Sequence, residues 1–334
     1  MFIDVRRDPF SVYGLYDYKN QPVFRRLPED VAKATNPGVY GLHIHTAGGR
    51  VRFSTDSPYI AIRCKMQSVT HMPHMPLIGM SGFDLYEHKF GVDTYIRSFM
   101  PSWDMKDGYE SVQHIYNDGQ MHDYTIHFPL YNDVISLEIG LREGSALTGG
   151  AKYADIKPVV YYGSSITQGG CASRPGNSYS AMISRRFDCN FVNLGFSGSG
   201  RGEREITEYI AGLDMQIFVY DYDHNAPSID HLRNTHERMF KIIRQAQPDL
   251  PIILMTCTSM PHCVDDRDGR KKVIYETYRN AVNAGDTNVY FIDGSRIFKE
   301  CGYDATVDGA HPNELGFSRI AKTVGDVIEN ILND

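Results

Sequence analysis

Several things this chain has little of narrow its class before any motif is considered. It has no run of roughly 18 apolar residues, and its N-terminus, MFIDVRRDPF, lacks the apolar core of a signal peptide. These absences predict a soluble, cytoplasmic protein that does not span or coat a membrane. Its cysteines, Cys64, Cys171, Cys189, Cys257, Cys263 and Cys301, include no CxxC pair, so a structural zinc site is not expected and six free thiols are. No stripe of Lys and Arg occurs, and the net charge of −7 argues against nucleic acid, whose binding requires concentrated positive charge. Tryptophan occurs once, as Trp103, beside 22 tyrosines and 16 phenylalanines. The aromatics are read as filling a core in preference to stacking on sugars.

What is present suggests two globular units. A chain of 334 residues exceeds one ordinary hydrophobic core, and its 42% apolar and 22% charged content is that of a soluble globular protein. Up to about residue 150, short runs alternate apolar and polar residues at a period of two: Gly38–His45, Val51–Thr55, Tyr59–Met66, His122–Phe128 and Val134–Leu141. Turn formers separate them at Gly48-Gly49, Asn117-Asp-Gly and Asn132-Asp. A short helix is indicated only near Glu29–Lys33. Residues 1–150 are therefore expected to form an antiparallel β-sandwich, jelly-roll-like, with Ala146–Ala151 as a linker.

Residues 151–334 read differently. Strand-like runs at Pro158–Gly163, Cys189–Gly195, Gln216–Asp221, Pro251–Thr256 and Val289–Asp293 alternate with helical segments at Tyr179–Phe187, His231–Gln247, Val273–Ala284 and Leu315–Leu332. This predicts an α/β domain with a doubly wound parallel sheet, in which ligands bind beyond the carboxyl ends of the strands.

The polar clusters fall at those ends. Gly163-Ser164-Ser165-Ile166-Thr167-Gln168-Gly169 places a serine at a strand-to-helix turn, where backbone N–H groups can receive an oxyanion. It is neither the GxSxG elbow, because Thr167 replaces the second glycine, nor a phosphate loop, because the Gly-Lys-Ser/Thr ending is missing. Asp308-Gly309-Ala310-His311 places a carboxylate three residues ahead of a histidine, able to orient it as a base. Asn193–Gly200 and Asp221–Asn225 offer Gly198 and Asn225 as hydrogen-bond donors. His224 adjoins them and is not read as the base. Cys171, two residues beyond the first cluster, is the one cysteine inside the suspected site and is read as a bystander. His71 and His74, three apart, invite a metal reading, but no third ligand is evident.

Taken together, the four blocks resemble the GDSL/SGNH hydrolases over residues 158–334. The resemblance implies Ser165 as nucleophile, His311 as base and Asp308 as its orienting acid. It also implies the N–H groups of Ser165 and Gly198 and the amide of Asn225 as oxyanion donors. The usual Gly-Asp-Ser reads Gly-Ser-Ser here, and the usual Gly-x-Asn-Asp is replaced by Asp221-Tyr-Asp-His-Asn225. Gly82-Phe83-Asp84-Leu85-Tyr86 is similar to the Gly-x-Asp-Leu-Tyr signature of a β-sandwich domain that precedes certain SGNH esterases. The activity implied by the resemblance is hydrolysis of small acyl esters, acetyl groups on carbohydrate above all, without metal or organic cofactor. An acyltransferase with the same triad and a carbohydrate-binding protein with impaired catalysis are the rivals. The expected partner is a small acylated substrate, neither nucleic acid nor membrane, and self-association is left open.

Overall fold

The structure, a computed structural model, describes residues 1–116 and 118–333. Asn117, which begins one of the expected turns, lies outside the described residues, as does Asp334. Strands β1 (Phe2–Asp4), β2 (Ser11–Tyr13), β3 (Arg50–Thr55), β4 (Tyr59–Lys65), β5 (Phe83–Lys89), β6 (Val92–Phe99), β7 (Gly108–His114), β8 (His122–His127), β9 (Ser136–Gly140) and β10 (Leu147–Gly149) build two antiparallel sheets. One runs β1-β9-β4-β7; the other runs β10-β3-β8-β5-β6, with β2 also on β3. The period of two explains their packing. Val51 and Phe53, Ile60 and Ile62, Tyr124 and Ile126, and Leu137 and Ile139 all point into one shared apolar core.

Three expectations for this half need correction. Gly38–His45 is not a strand: after α1 (Glu29–Thr35), Pro37–Leu42 forms α2, because the Asn36 side chain accepts from Val39 N–H and Pro37 occupies the first turn. Ala146–Ala151 is not a free linker, since β10 within it pairs with Phe53–Thr55. Trp103 is outside the core, 76% exposed, with its ring 4.7 Å from that of His71.

The second half is a five-stranded parallel sheet, β12-β11-β13-β14-β15, formed by β11 (Val159–Gly163), β12 (Phe191–Gly195), β13 (Ile217–Asp221), β14 (Ile252–Met255) and β15 (Val289–Ile292). Its strands are mostly apolar because both faces are covered. Val159 and Tyr161 face α5 (Tyr179–Phe187) and α9 (Glu314–Asn333). Val160 and Tyr162 face α6 (Arg204–Ala211), α7 (Ile229–Ala246) and α8 (Arg267–Asn283). The chain leaves β11 for β12 on one side and then crosses to β13 on the other. The end of β11 is thus the switch point at which such sheets open a crevice.

Buried arginines tie the halves together. Arg50 donates to Phe191 O (3.1 Å), Arg52 to Asp188 (3.1 Å) and Arg26 to Asn193 O (3.2 Å). All three acceptors flank or belong to β12, so the first half braces the sheet that carries the site.

Candidate active site

β11 ends at Gly163, where a Cβ would lie 2.0 Å from Asp221 O and 2.2 Å from Thr167 Oγ1, so only glycine lets the chain turn there. Ser164 follows as the N-cap of the short α4 (Ser165–Gln168), its hydroxyl accepting from Ile166 N–H at 3.2 Å. Ser164, standing where the family usually has aspartate, therefore serves as a fully buried cap. Ser165 is the first helical residue. Its N–H has no helical acceptor by position, and among the described residues no other protein acceptor takes it.

The Ser165 hydroxyl lies 2.9 Å from His311 Nε2. On the other side of the ring, His311 Nδ1 is 2.8 Å from Asp308 Oδ2. Asp308 Oδ1 accepts the backbone N–H groups of His311 (2.7 Å) and Ala310 (3.0 Å), a tight loop that Gly309 permits with φ +86°. Partial burial works to raise the Asp308 carboxyl. The His311 N–H, the imidazole and the Ala310 N–H outweigh it and hold the carboxyl at about 2. A group that stays ionised can only accept, so His311 Nδ1 is the donor and Nε2 keeps its lone pair facing Ser165.

Gly198 sits at φ +64° with open space where a side chain would stand, and among the described residues its N–H meets no protein acceptor. Asn225 reaches the same turn from the end of β13. Both hydrogens of its amide are engaged, with Phe196 O (2.8 Å) and Gly200 O (3.0 Å). As placed, Asn225 braces the turn that presents Gly198. To meet an oxyanion it would have to exchange one of these bonds.

Several residues support the site through partners that the sequence does not reveal. Gln168 accepts from Ser197 N–H (3.0 Å) and donates to Leu130 O (3.0 Å), linking the Gly198 turn to the first half. Asn193 donates to Thr167 O (2.7 Å), and Tyr131 donates its hydroxyl proton to Ser165 O (3.2 Å). Asp84, fully buried in the Gly-x-Asp-Leu-Tyr segment, accepts from Arg174 (3.0 Å) and from Gly176 N–H (2.8 Å) in the loop after α4. Arg174 also donates to the Tyr86 hydroxyl. The Gly-x-Asp-Leu-Tyr segment is visible as a motif, but its partnership with Arg174, 90 residues away, is not.

His224 is not placed as a base. Burial, with the guanidinium groups of Arg270 and Arg267 nearby, holds it at about 3, and it bonds Ser259 Oγ (3.0 Å). Burial, with Asp308 and Glu314 close by, pushes the Cys171 thiol up to about 12, so it is no nucleophile. The loop holding His71 and His74 does reach the site: the His74 ring is 5.5 Å from that of His311. A third donor, not evident from sequence spacing, is also present, since His74, Cys171 and His311 bring one ligand atom each within 4.8 Å of one another.

A parallel sheet with serine after its first strand, glycine after its second, asparagine after its third and Asp-x-x-His ahead of its last helix is the layout of a GDSL/SGNH hydrolase. The chain belongs to the GDSL-like lipase/acylhydrolase family, whose model matches residues 156–329. Residues 1–147 match the family described as the N-terminus of SGNH-hydrolase-type esterases. Among solved structures it is similar to a GDSL-like lipase of Bacteroides ovatus, with 28% identity, 100% of this chain and 98% of that one covered, and a TM-score of 0.90. A salicylyl-acyltransferase from a tetracycline biosynthetic pathway shares the fold at 19% identity, 97% and 95% coverage and a TM-score of 0.77. An acetyl xylan esterase of Butyrivibrio proteoclasticus does so at 13% identity, 100% and 99% coverage and a TM-score of 0.64. No curated protein matches the chain.

Proposed function

We propose that this chain is a serine esterase that hydrolyses small acyl esters, with acetyl groups on carbohydrate as the preferred class. The observation that carries the reading is the hydrogen-bonded series from Ser165 Oγ through His311 to Asp308, at 2.9 and 2.8 Å. His311 Nε2 takes the Ser165 proton as Oγ attacks the acyl carbonyl, and Asp308 steadies the imidazolium that results. The N–H groups of Ser165 and Gly198 receive the oxyanion. Asn225 holds the Gly198 turn and adds a donor by giving up one of its two carbonyl bonds. Collapse expels the alcohol, protonated by His311, and leaves an acyl-Ser165 that water then attacks with His311 again as base.

Acetylated sugar is favoured by two further observations. Trp103, 76% exposed with its ring tilted against that of His71, gives the loop that reaches His311 an aromatic face of the kind that sugars stack on. The shared fold of an acetyl xylan esterase supports the same class. The fold of the salicylyl-acyltransferase supports a second reading, in which an alcohol replaces water in the last step.

The test is hydrolysis of p-nitrophenyl acetate and butyrate by wild type, Ser165→Ala, His311→Ala and Ser164→Ala. Losses of about 10⁴-fold or more are expected at Ser165 and His311, with acetate preferred and Ser164→Ala active. An inactive wild type, or a Ser165→Ala variant at full rate, would overturn the triad. Added alcohols or sugars that divert product from free acid to ester would favour the transferase.

A further inference from the structure

Three parts of the chain that are remote in sequence converge on one face of the triad. His74 comes from the loop ahead of α3 (Leu77–Ser81), Cys171 from the turn after α4, and His311 from the loop ahead of α9. One potential ligand atom from each lies within 4.8 Å of the other two. We propose that His74, Cys171 and His311 form an inhibitory site for a divalent transition-metal ion, zinc above all, which turns the hydrolase off by occupying the base. The proposal rests on the reading of His311 as that base.

The donor set selects the ion. Two imidazoles and a thiol suit zinc, cobalt, nickel or copper, whereas magnesium and calcium require oxygen ligands. Zinc bonds of about 2.0–2.1 Å to nitrogen and about 2.3 Å to sulfur place tetrahedral ligand atoms roughly 3.4–3.6 Å apart. The three donors must therefore close by at most about 1.2–1.4 Å from the 4.8 Å span. The movement falls to His74, which is exposed on an irregular loop, while Cys171 is buried and His311 is held by Asp308.

His311 is already arranged as metal-binding histidines are. Its Nδ1–H is given to a carboxylate, which fixes the ring and raises the basicity of Nε2. Nε2 is the nitrogen that faces Ser165 Oγ at 2.9 Å, so an ion bound there takes the lone pair that would accept the serine proton. Water or the Ser165 hydroxyl completes the fourth position. Both imidazoles bind neutral, the Cys171 thiol releases one proton to solvent on coordination, and no oxidation state changes. Carboxylates of Asp308 and Glu314 beside Cys171 offset the ion's charge.

The experiment combines a kinetic and a spectroscopic arm on the full chain, stripped of metal with EDTA. Zinc chloride is titrated into p-nitrophenyl acetate hydrolysis by wild type, His74→Ala, His74→Gln, Cys171→Ser and Cys171→Ala. Cobalt chloride is titrated into wild type, Cys171→Ser and Ser165→Ala while the near-ultraviolet spectrum is followed. The expected result is inhibition of wild type that EDTA reverses. The His74 and Cys171 variants should hydrolyse ester normally without metal and need at least about tenfold more zinc for the same inhibition. A thiolate-to-cobalt charge-transfer band should appear in wild type and Ser165→Ala and be missing from Cys171→Ser. No inhibition or stimulation of an active wild type, equal zinc sensitivity in the variants, or no such band would overturn the site. If the protein hydrolyses no ester, the cobalt arm still decides the site. The two readings therefore fail separately.

Discussion

The clearest quantitative consequence of the structure concerns Asp84, on a strand of the first half remote in sequence from the candidate nucleophile. Its carboxylate is fully buried, and one oxygen accepts both Arg174 Nη1 at 3.0 Å and Gly176 N–H at 2.8 Å. Asp84→Ala leaves the Arg174 guanidinium and a buried N–H without their acceptor, and breaking a buried pair on one side costs about 3–5 kcal/mol. The lower end applies, because Arg174 is 21% exposed and keeps a stacking partner in Tyr95, 4.0 Å from its guanidinium carbon to the ring centre. Asp84→Asn preserves shape and can still accept from Gly176 N–H, so it should cost only the charge-assisted bond, about 1.5–3 kcal/mol. Removing both partners in Asp84→Asn/Arg174→Gln should cost less than the sum of the single changes. Urea unfolding gives the stabilities. Hydrolysis of p-nitrophenyl acetate, measured well below the unfolding midpoint, gives the functional effect. Because the clamped loop continues directly from α4, kcat should fall while KM for this small ester stays near its wild-type value. If Asp84→Ala unfolds within about 0.5 kcal/mol of wild type, or if the double variant is strictly additive, the clamp contributes nothing and the reasoning fails.

Other outcomes are expected from the same geometry. Asn225→Ala removes both bonds that hold the Gly198 turn and should lower kcat on p-nitrophenyl acetate by about 10²–10³-fold, the usual cost of a lost oxyanion donor; a loss under about threefold would show that the oxyanion depends neither on the Asn225 amide nor on the turn it braces. Trp103→Ala changes an exposed residue and should leave stability within about 0.5 kcal/mol, while raising KM for acetylated oligosaccharides and not for p-nitrophenyl acetate; equal KM on both substrates would remove the stacking role. His236 is buried against the Tyr220 ring, 4.5 Å away, and burial holds it at about 3. The folded chain keeps it neutral while the unfolded chain takes up a proton below about pH 6.5. Its contribution is therefore complete above that pH and lost as pH falls toward 3, at up to about 1.4 kcal/mol per pH unit. Urea midpoints of wild type and His236→Gln between about pH 6.5 and pH 4.5 should show a shallower decline in the variant, and parallel declines would exclude His236 as a cause.

How far the sequence reveals each feature depends on how local its determinant is. β3, β4, β8 and β9 are legible because one face of each lies in the sandwich core, which imposes alternation on the chain. β6 and β7 are sheet edges with both faces partly exposed, so no alternation marks them. Gly38–His45 imitates a strand because its apolar residues fit a period of two, whereas the Asn36 cap and Pro37 decide for a helix. In the second half the central strands β11, β13 and β14 are buried on both sides, and the apolar runs announce themselves. The same locality explains the site. Ser165, Gly198 and Asn225 each lie in a short turn after a strand, and Asp308 and His311 share one loop, so parallel topology alone brings them to one edge of the sheet. The supports are hidden because they are long-range: Gln168 with Leu130, Asp84 with Arg174, Arg26 with β12. All three cross between the halves. Family motifs name the candidate reacting groups, but the first half contributes bonds that brace their loops, and it brings the His74 ring to 5.5 Å from that of His311. The Gly-x-Asp-Leu-Tyr segment is thus tied physically to the second half: its aspartate and tyrosine, on β5, accept the hydrogen bonds of the loop that follows the candidate nucleophile.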